Sequence, residues 1–216
     1  MIKIQSFVFG PFMENTYILS DETRESIIID PGCYESEEKA LITSYIEDNQ
    51  LNVVKLLNTH CHIDHVLGNY FIKEKYKVSL GTHQLEEPLL KAVKAYSHNY
   101  GFPNYTEAEI DYFIEEGDVI KFGQSQLQVL FVPGHSPGHI AFFQPEQKFC
   151  IGGDVLFQGS IGRTDLPGGN FDTLIQSIHQ KFFPLGDDVT VYCGHGSSTT
   201  VGEEKKSNPF CAINMA

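Results

Sequence analysis

The stretch Thr59-His60-Cys61-His62-Ile63-Asp64-His65 decides which fold and chemistry we expect of this chain of 216 residues. It follows the apolar run 53–57, which has the pattern of a strand buried on both faces. Three imidazoles and one carboxylate so close together are ligands that suit zinc, iron or manganese. Packing alone does not explain such clustering, so we interpret residues 59–65 as a metal-binding motif.

The alternation of side chains along the backbone divides these ligands into two groups. In an extended segment His60 and His62 lie on one face, because alternate side chains point the same way. Asp64 and His65 follow where the chain enters a helix, so we expect them to point elsewhere, toward a second metal. Two ligands do not complete a metal site, and distant residues must therefore supply the others.

Three further polar residues stand at the ends of expected strands, each close to glycine. They are His135, Asp154 and His195. Glycine permits the tight turns that present such side chains to a site. Each residue also has a structural explanation when it is taken alone: an aspartate that caps a turn, or a histidine that is satisfied within a loop.

The charge of the chain argues against polyanionic partners. It has 28 acidic residues against 15 basic ones, a formal net charge of -13. Two divalent ions would offset part of this charge, and the remainder still repels nucleic acid. No run of lysine and arginine forms a basic stripe, so we expect no nucleic-acid partner.

The cysteines and the apolar runs predict a protein of a reducing compartment. The five cysteines are an odd number without a CxxC pair, unlike a secreted disulfide framework. The N-terminus lacks the pattern of a signal peptide. No stretch approaches the roughly 20 apolar residues that span a bilayer. We expect a cytoplasmic protein that does not associate with membranes.

Apolar periodicity predicts strands and helices along the whole chain. Strands are expected at 2–9, 16–19, 26–29, 53–57, 78–80, 119–122, 127–132, 140–143, 148–152 and 189–192. Helices are expected at 36–49, 66–76, 84–100 and 171–182. The repetition favours two β-sheets packed face to face with helices outside, built from two similar halves. We expect one domain over residues 1–216, with two small domains as the alternative.

The motif at 59–65 resembles the T-H-x-H-x-D-H signature of the metallo-β-lactamase superfamily. The later elements PGHSPGH at 133–139, GGDVLF at 152–157 and CGHG at 193–196 are similar to the remaining family motifs and occur in the same order. The resemblance runs from Asn15-Thr16-Tyr17 to His195. It implies an α+β fold, the four-layer αββα sandwich.

The resemblance also implies a site with two divalent metal ions, zinc first, with iron or manganese as alternatives. One ion is expected on His60, His62 and His135. The other is expected on Asp64, His65 and His195. Asp154 is expected to bridge them, and Asp64 and Asp154 are the residues to which we assign catalytic roles.

Within the superfamily the chain looks like the short relatives of the type II glyoxalases, the hydroxyacylglutathione hydrolases. The stretch 160–169 is similar to those enzymes and also to the GRTD element of persulfide dioxygenases. The first resemblance implies hydrolysis of a small acyl-thiol ester by a metal-bound hydroxide, with a thiolate that leaves without a strong acid. The alternatives are a mononuclear iron persulfide dioxygenase and a lactonase or other ester hydrolase.

Three supporting roles have two interpretations each. His139 donates a hydrogen bond that orients a ligand, or it is a structural loop histidine. Arg163 holds a substrate carboxylate or braces Asp64, or it forms a salt bridge with Asp165. The aromatic segment 96–112 forms a substrate lid, or it packs in the core. The sequence does not indicate an oligomeric state.

Overall fold

The computed structural model describes residues 1–213 and divides the chain into two compact units. The first unit comprises Met1–Ile114 with Lys121–Gln126. The second comprises Glu115–Ile120 with the chain from Leu127 onward. Each unit has its own cluster of buried apolar side chains, as expected for segments that fold around separate cores.

A six-stranded sheet forms the centre of the first unit, with its strands in sequence order. The strands are β1 (Lys3–Phe9), β2 (Glu14–Ser20), β3 (Glu25–Ile29), β4 (Asn52–Leu57), β5 (Leu80–Thr82) and β6 (Tyr112–Phe113). The first three strands form an antiparallel meander, and β3 to β6 pair in parallel. Parallel neighbours require crossover connections, which the helices of this unit provide.

Four helices cross between these strands: α1 (Ser36–Asp48), α2 (Ile63–Val66), α3 (Asn69–Tyr76) and α4 (Glu87–Tyr96). The 3₁₀ turns Gln84–Glu86 and Ser97–Tyr100 flank α4. Ile42 of α1 and Val93 of α4 are fully buried and belong to the same apolar cluster as Ile28 and Leu56 of the sheet. The helices therefore hold one face of the sheet through continuous apolar packing.

The helix predicted at 66–76 is interrupted in the structure. The first helix, α2, begins inside the motif at Ile63 and ends at Val66, and α3 begins at Asn69. At Gly68 the backbone N–H donates to the carbonyl of Pro31, and a Cβ there would lie 2.6 Å from Cys33 Sγ. Periodicity missed this break because its cause is a tertiary close approach between two loops.

A second six-stranded sheet belongs mainly to the second unit, in the order β14-β13-β10-β9-β8-β7. Its strands are β7 (Val119–Phe122), β8 (Ser125–Phe131), β9 (Ile140–Gln144), β10 (Phe149–Gly153), β13 (Thr190–Cys193) and β14 (Thr199–Thr200). A separate hairpin pairs β11 (Leu156–Phe157) with β12 (Ser160–Ile161). The pairing of β10 with β13 is parallel, which aligns the ends that precede Asp154 and His195.

Two helices accompany this sheet, α5 (Phe171–Ser177) and α6 (Val201–Ser207). Asn170 caps the start of the first, since its side-chain oxygen accepts from the Thr173 N–H at 2.9 Å, and this helix continues as a π-helical turn, Ile178–Phe182. Leu174, Phe182 and Val191 belong to the apolar cluster of this unit. Among residues 1–213, no helix has the length and apolar character needed to cross a bilayer.

Candidate metal centre

The motif residues of the first unit come together directly after β4. The rings of His60 and His62 have centroids 4.8 Å apart, and those of His60 and His65 are 4.1 Å apart. His60 and His65 are fully buried, and His65 Nε2 lies 3.8 Å from Asp64 Oδ2. The structure thus brings the three imidazoles and the carboxylate into one cluster, and their division between two metals stays a prediction.

Asp30 orients two of these imidazoles. Its Oδ2 accepts from the Thr59 hydroxyl at 2.6 Å and lies 3.2 Å from His65 Nδ1. Because Thr59 gives its hydrogen to Asp30, it can only accept from His60 Nδ1, which is 3.0 Å away. Both imidazoles therefore carry their proton on Nδ1 and their lone pair on Nε2, the tautomer that serves as a metal ligand.

The loop that carries the motif is held by three further hydrogen bonds. The Asn58 amide donates to the His65 carbonyl at 2.9 Å, and its oxygen accepts from the Asn69 amide at 2.7 Å. Glu86, which is fully buried, accepts from the Cys61 N–H at 2.7 Å. The positions of the ligands are therefore fixed by hydrogen bonds on both sides of the motif.

Glu14 is a second buried carboxylate beside the motif. One of its oxygens lies 4.0 Å from His65 Nδ1, and the other accepts from the Thr16 hydroxyl at 2.9 Å. Burial raises the pKa of Glu14 well above its ordinary value, although the charge of His65 opposes this effect. Gly32 permits this arrangement, since a Cβ there would lie 2.2 Å from the Glu14 carboxylate.

The candidate ligands of the second unit gather around Asp154. Its Oδ2 lies 3.5 Å from His135 Nε2 and 3.4 Å from His195 Nε2. His135 and Asp154 are buried, and the His195 side chain is 27% exposed. Since Asp154 stands between the two imidazoles, its carboxylate is placed as a shared ligand would be.

The loop after β12 completes this arrangement. His135 Nδ1 lies 2.7 Å from the Arg163 carbonyl, which only accepts, so the lone pair of His135 is on Nε2. Gly162 lies against both partners: a Cβ there would be 1.9 Å from the Asp154 carbonyl oxygen and 3.0 Å from His135 Nδ1. The close approach thus requires glycine at this position.

His139 and Arg163 make contacts that bear on their predicted roles. His139 is fully buried, and its Nε2 accepts a hydrogen bond from the Asp154 N–H at 3.0 Å. His139 therefore positions the Asp154 backbone by accepting this hydrogen bond. The Arg163 side chain donates twice to Asp165, at 2.8 and 2.7 Å. These hydrogen bonds lower the pKa of Asp165 to about 2, and both side chains are exposed.

The two clusters together offer imidazole and carboxylate groups of the kind that zinc, iron and manganese bind. In the first unit, one ligand atom from each of Asp30, His60 and His65 lies within 4.8 Å of the others. Asp30 already accepts from Thr59 and His65, so it is placed to orient the imidazoles, which are the candidate ligands. The residues present therefore fit a divalent metal.

Sequence reasoning missed three buried carboxylates that support the motif, namely Glu14, Asp30 and Glu86. Each is far from residues 59–65 along the chain. Asp30 had a recognisable signal, because an aspartate followed by Pro31-Gly32 at a strand end is polar where an apolar strand stops. Glu14 and Glu86 carried no comparable signal, since acidic residues in strands and turns are usually exposed.

Comparisons with known proteins identify relatives of this chain. A sequence model described as the metallo-beta-lactamase superfamily matches residues 9–195. Hydroxyacylglutathione hydrolase GloC from Haemophilus influenzae is 41% identical over 211 residues, 97% of this chain and 98% of that protein. Mitochondrial persulfide dioxygenase ETHE1 from Bos taurus is 31% identical over 204 residues, 92% of this chain and 72% of that protein.

Two solved structures share the fold. The crystal structure of BLEG-1 B3 metallo-beta-lactamase has a TM-score of 0.88 and 33% identity, covering 99% of this chain and 100% of that one. TTHA1623, crystallised in a di-iron-bound form, has a TM-score of 0.83 and 35% identity, covering 95% of this chain and 99% of that one. These likenesses confirm the predicted α+β fold with sheets flanked by helices.

Proposed function

This chain belongs to the metallo-β-lactamase superfamily of metal-dependent hydrolases, and from that premise we propose that it hydrolyses thioesters in the manner of type II glyoxalases. The observation that carries the proposal is the 41% identity to hydroxyacylglutathione hydrolase GloC over 97% of the chain. Identity at that level and extent favours a common reaction more strongly than the shared fold does, because one fold serves many chemistries.

Seven side chains hold two divalent ions in this proposal. The first ion takes His60, His62 and His135. The second would be held by Asp64, His65 and His195, and Asp154 would be a ligand of both. The tautomers support this assignment, since the lone pairs of His60, His65 and His135 are on Nε2. Zinc is the proposed ion, and iron is the alternative because TTHA1623 was crystallised in a di-iron-bound form.

Two ions held by these residues would supply an activated water at neutral pH and would polarise the thioester carbonyl. The chain's own residues hold the geometry: Asp30 orients two imidazoles, and His139 positions the Asp154 backbone. A thiol has a parent pKa of about 8.5, so the leaving thiolate departs without a strong general acid. The proposal accordingly assigns no residue as the acid.

The proposed substrate is a small thioester, and assays with different thioesters identify its thiol carrier. A formal net charge of -13 disfavours polyanionic substrates such as nucleic acid. A cytoplasmic location is part of the same proposal. All five cysteines are buried thiols, a condition that persists in a reducing compartment.

The test joins metal analysis to an assay on S-lactoylglutathione. We expect two metal ions per chain and steady hydrolysis, with loss of both in Asp154→Ala. Asp165→Ala is the control, because it removes an exposed carboxylate whose partner is Arg163. Full metal content and activity in Asp154→Ala would refute the bridging role, and two metals without any thioester turnover would refute the hydrolase.

A persulfide dioxygenase is the second candidate. It is favoured by the 31% identity to bovine ETHE1 over 92% of this chain and by the GRTD element at 162–165. This function predicts one iron per chain and oxygen uptake with a glutathione persulfide substrate. Oxygen consumption without thioester turnover would replace the first proposal with the second.

A further inference from the structure

A cluster of aromatic side chains lies on the first unit outside the proposed ligand set. Phe12, in the turn between β1 and β2, has its ring 6.1 Å from Tyr100 and 6.2 Å from Phe102. Tyr96 is 5.7 Å from Tyr100, and Tyr34 is 4.9 Å from Phe102. We call Phe12, Met13, Tyr96 and Tyr100 the aromatic wall; Tyr34 and Phe102 lie behind it.

The wall rests on a fixed scaffold. The Glu38 carboxylate accepts from the Gly10 N–H at 2.8 Å and from the Tyr34 N–H at 2.8 Å, so it ties the β1–β2 turn to the start of α1. The Tyr34 hydroxyl accepts from the Asn104 N–H at 2.9 Å. A turn held in this way presents its side chains in a defined position.

The side chains at the front of the wall are exposed although they are large and apolar. Phe12 is 38% exposed, Met13 is 65% exposed and Tyr100 is 52% exposed. Met13 also has a φ of 54°, a left-handed conformation that non-glycine residues rarely adopt. Exposed apolar groups on a strained turn are a common arrangement at sites that contact ligands.

The wall lies beside the metal-binding motif. Phe12 precedes Glu14 by two residues, a span of at most about 7 Å, and the Glu14 carboxylate is 4.0 Å from His65 Nδ1. The helix that carries Asp64, α2, contacts both β2 and α4, the helix that ends at Tyr96. Burial, together with the charges of Tyr100 and Asp64, raises the pKa of Tyr96 to about 12.

A buried hydroxyl behind the wall also points to a ligand. Tyr105 is 7% exposed, and its hydroxyl has no hydrogen-bond partner within residues 1–213. Burial raises the pKa of Tyr105, and Cys61 of the motif and Tyr96 of the wall are among the groups near enough to add to this effect. A hydroxyl that loses water on burial normally gains a partner, and an oxygen of a bound ligand would satisfy this one.

We propose that the aromatic wall and the Tyr105 hydroxyl form the subsite for the acyl group of the thioester, and that they select acyl groups larger and more apolar than lactoyl. The inference rests on the proposed hydrolase function. The wall contains only apolar and aromatic side chains, so it suits the acyl chain and not the carboxylates of a glutathione-like carrier. The Tyr105 hydroxyl donates to an acyl oxygen.

The size of the wall supports a large acyl group. Three rings with centroids about 6 Å apart extend well beyond the three carbons of a lactoyl group. A phenyl-bearing acyl group such as mandeloyl would stack against Phe12 and Tyr100, and its 2-hydroxyl would accept from Tyr105.

Binding is tested without turnover by placing a tryptophan in the wall. The chain has no tryptophan, so Phe12→Trp introduces a single reporter. S-hexylglutathione, a thioether that is not hydrolysed, should change its fluorescence saturably, whereas glutathione alone should not. Phe210→Trp, at a 52% exposed position in the second unit, is the control. No change at position 12 with S-hexylglutathione would overturn the proposal.

Kinetics test the selectivity on the same protein. We expect kcat/KM for S-mandeloylglutathione to exceed that for S-lactoylglutathione by about tenfold or more, and Phe12→Ala and Tyr100→Ala to abolish the difference. Tyr105→Phe should lower mandeloyl turnover. Tyr112→Phe is its matched control, because it removes another buried hydroxyl without a partner within the described chain, one whose ring covers Gly81.

The outcomes separate this inference from the function on which it rests. Lactoyl turnover with no acyl preference, unchanged in the wall variants, overturns the subsite and leaves the hydrolase intact. Absence of all thioester turnover overturns the hydrolase, and the fluorescence result then decides the subsite alone. A dimer that becomes a monomer in Phe12→Ala would show that the wall binds a second copy of the chain, and would also overturn the proposal.

Discussion

At the scale of single residues, Asp30 is the group on which the first ligand cluster depends. It accepts from the Thr59 N–H at 2.7 Å and from the Thr59 hydroxyl at 2.6 Å, and it lies 3.2 Å from His65 Nδ1. One carboxylate thus sets the tautomers of two imidazoles, directly for His65 and through Thr59 for His60. An amide in its place has only one acceptor oxygen for these three donors.

We therefore expect Asp30→Asn to weaken metal binding by about 10–100-fold, the usual cost of losing an orienting partner, with the fold retained. Metal titration by calorimetry measures the affinity, and circular dichroism verifies the fold. Asp165→Asn, at an exposed position in the second unit, is the control and should bind metal as the parent does. Unchanged affinity in Asp30→Asn would show that Asp30 does not orient the ligands.

Gly162 gives a steric prediction at the same scale. Alanine there would place its Cβ 1.9 Å from the Asp154 carbonyl oxygen, so the backbone must shift, at a cost of roughly 1–3 kcal/mol. Because the shift moves His135 and Asp154 as well, we expect metal content to fall. Gly159→Ala is the control: Gly159 has a left-handed φ of 67°, which strains an alanine, but a Cβ there meets no atom within 4 Å. Equal metal content in the two variants would contradict this account.

Local spacing predicted part of the candidate site. Residues 60–65 were singled out because four candidate ligands lie within six positions, and their rings lie close together in the structure. His135, Asp154 and His195 needed the family resemblance, since a single histidine or aspartate has too many other uses. Glu14 and Glu86 escaped notice because only the tertiary fold buries them. The ligand assignment itself stays a prediction until metal is measured.

At the scale of secondary-structure elements, α6 fastens the hairpin that leads to Gly162. Glu204 is 1% exposed and accepts from the Gly159 N–H at 2.9 Å, the Thr199 hydroxyl at 2.5 Å and the Asn208 amide at 2.8 Å. The Asn208 amide also donates to the Ser160 carbonyl at 2.9 Å. One buried carboxylate thus joins the β11–β12 turn, β14 and the end of α6.

We expect Glu204→Ala to destabilise the protein by about 3 kcal/mol, because it leaves the buried donors of Thr199 and Asn208, and the part-buried Gly159 N–H, without their acceptor. Urea denaturation measures the free energy of unfolding. Glu203→Ala, one residue earlier and exposed, is the control and should change it by less than about 0.5 kcal/mol. Similar values for the two variants would show that the Glu204 network contributes little.

Long apolar patterns predicted most elements, and short elements were missed. The strand expected at 53–57 is observed at Asn52–Leu57, and the helix expected at 36–49 at Ser36–Asp48. Strands β6, β11, β12 and β14 have two residues each, too few for a periodic pattern to register. Within the segment 96–112, Phe102 and Tyr105 pack in the core while Tyr100 is exposed, and the substrate lid stays a prediction.

At the scale of the whole molecule, the cysteines are chemically protected. Burial raises the pKa values of Cys33, Cys193 and Cys211 to about 12, and it raises those of Cys61 and Cys150 as well. A thiol with a raised pKa remains protonated at pH 8, and the thiolate is the reactive form. The native protein should therefore resist thiol reagents.

We expect fewer than one thiol per chain to react rapidly with Ellman's reagent at pH 8 in the native protein, and all five to react in guanidinium chloride. Absorbance at about 412 nm, near the maximum of the thiolate that the reagent releases, follows the reaction over time in the native and in the denatured protein. Rapid reaction of one thiol without denaturant would contradict the burial of that cysteine.

The single domain expected from the sequence stays a prediction, since the structure divides the chain into two compact units. The family model spans residues 9–195 and hence parts of both units, which favours one cooperative domain. We expect one calorimetric transition whose van't Hoff and calorimetric enthalpies agree. Two separable transitions would show that the units unfold independently.

The order of the ligands along the chain has a consequence for synthesis. Four proposed ligands lie within residues 60–65, whereas His195 follows about 130 residues later, a delay of roughly ten seconds on the ribosome at typical rates. The early cluster is thus exposed to cellular metal before the remaining ligands have been synthesised. Which ion binds such an incomplete site depends on which ions are available and on the general order of their affinities. We expect the metal supplied during growth to decide which ion the purified protein carries.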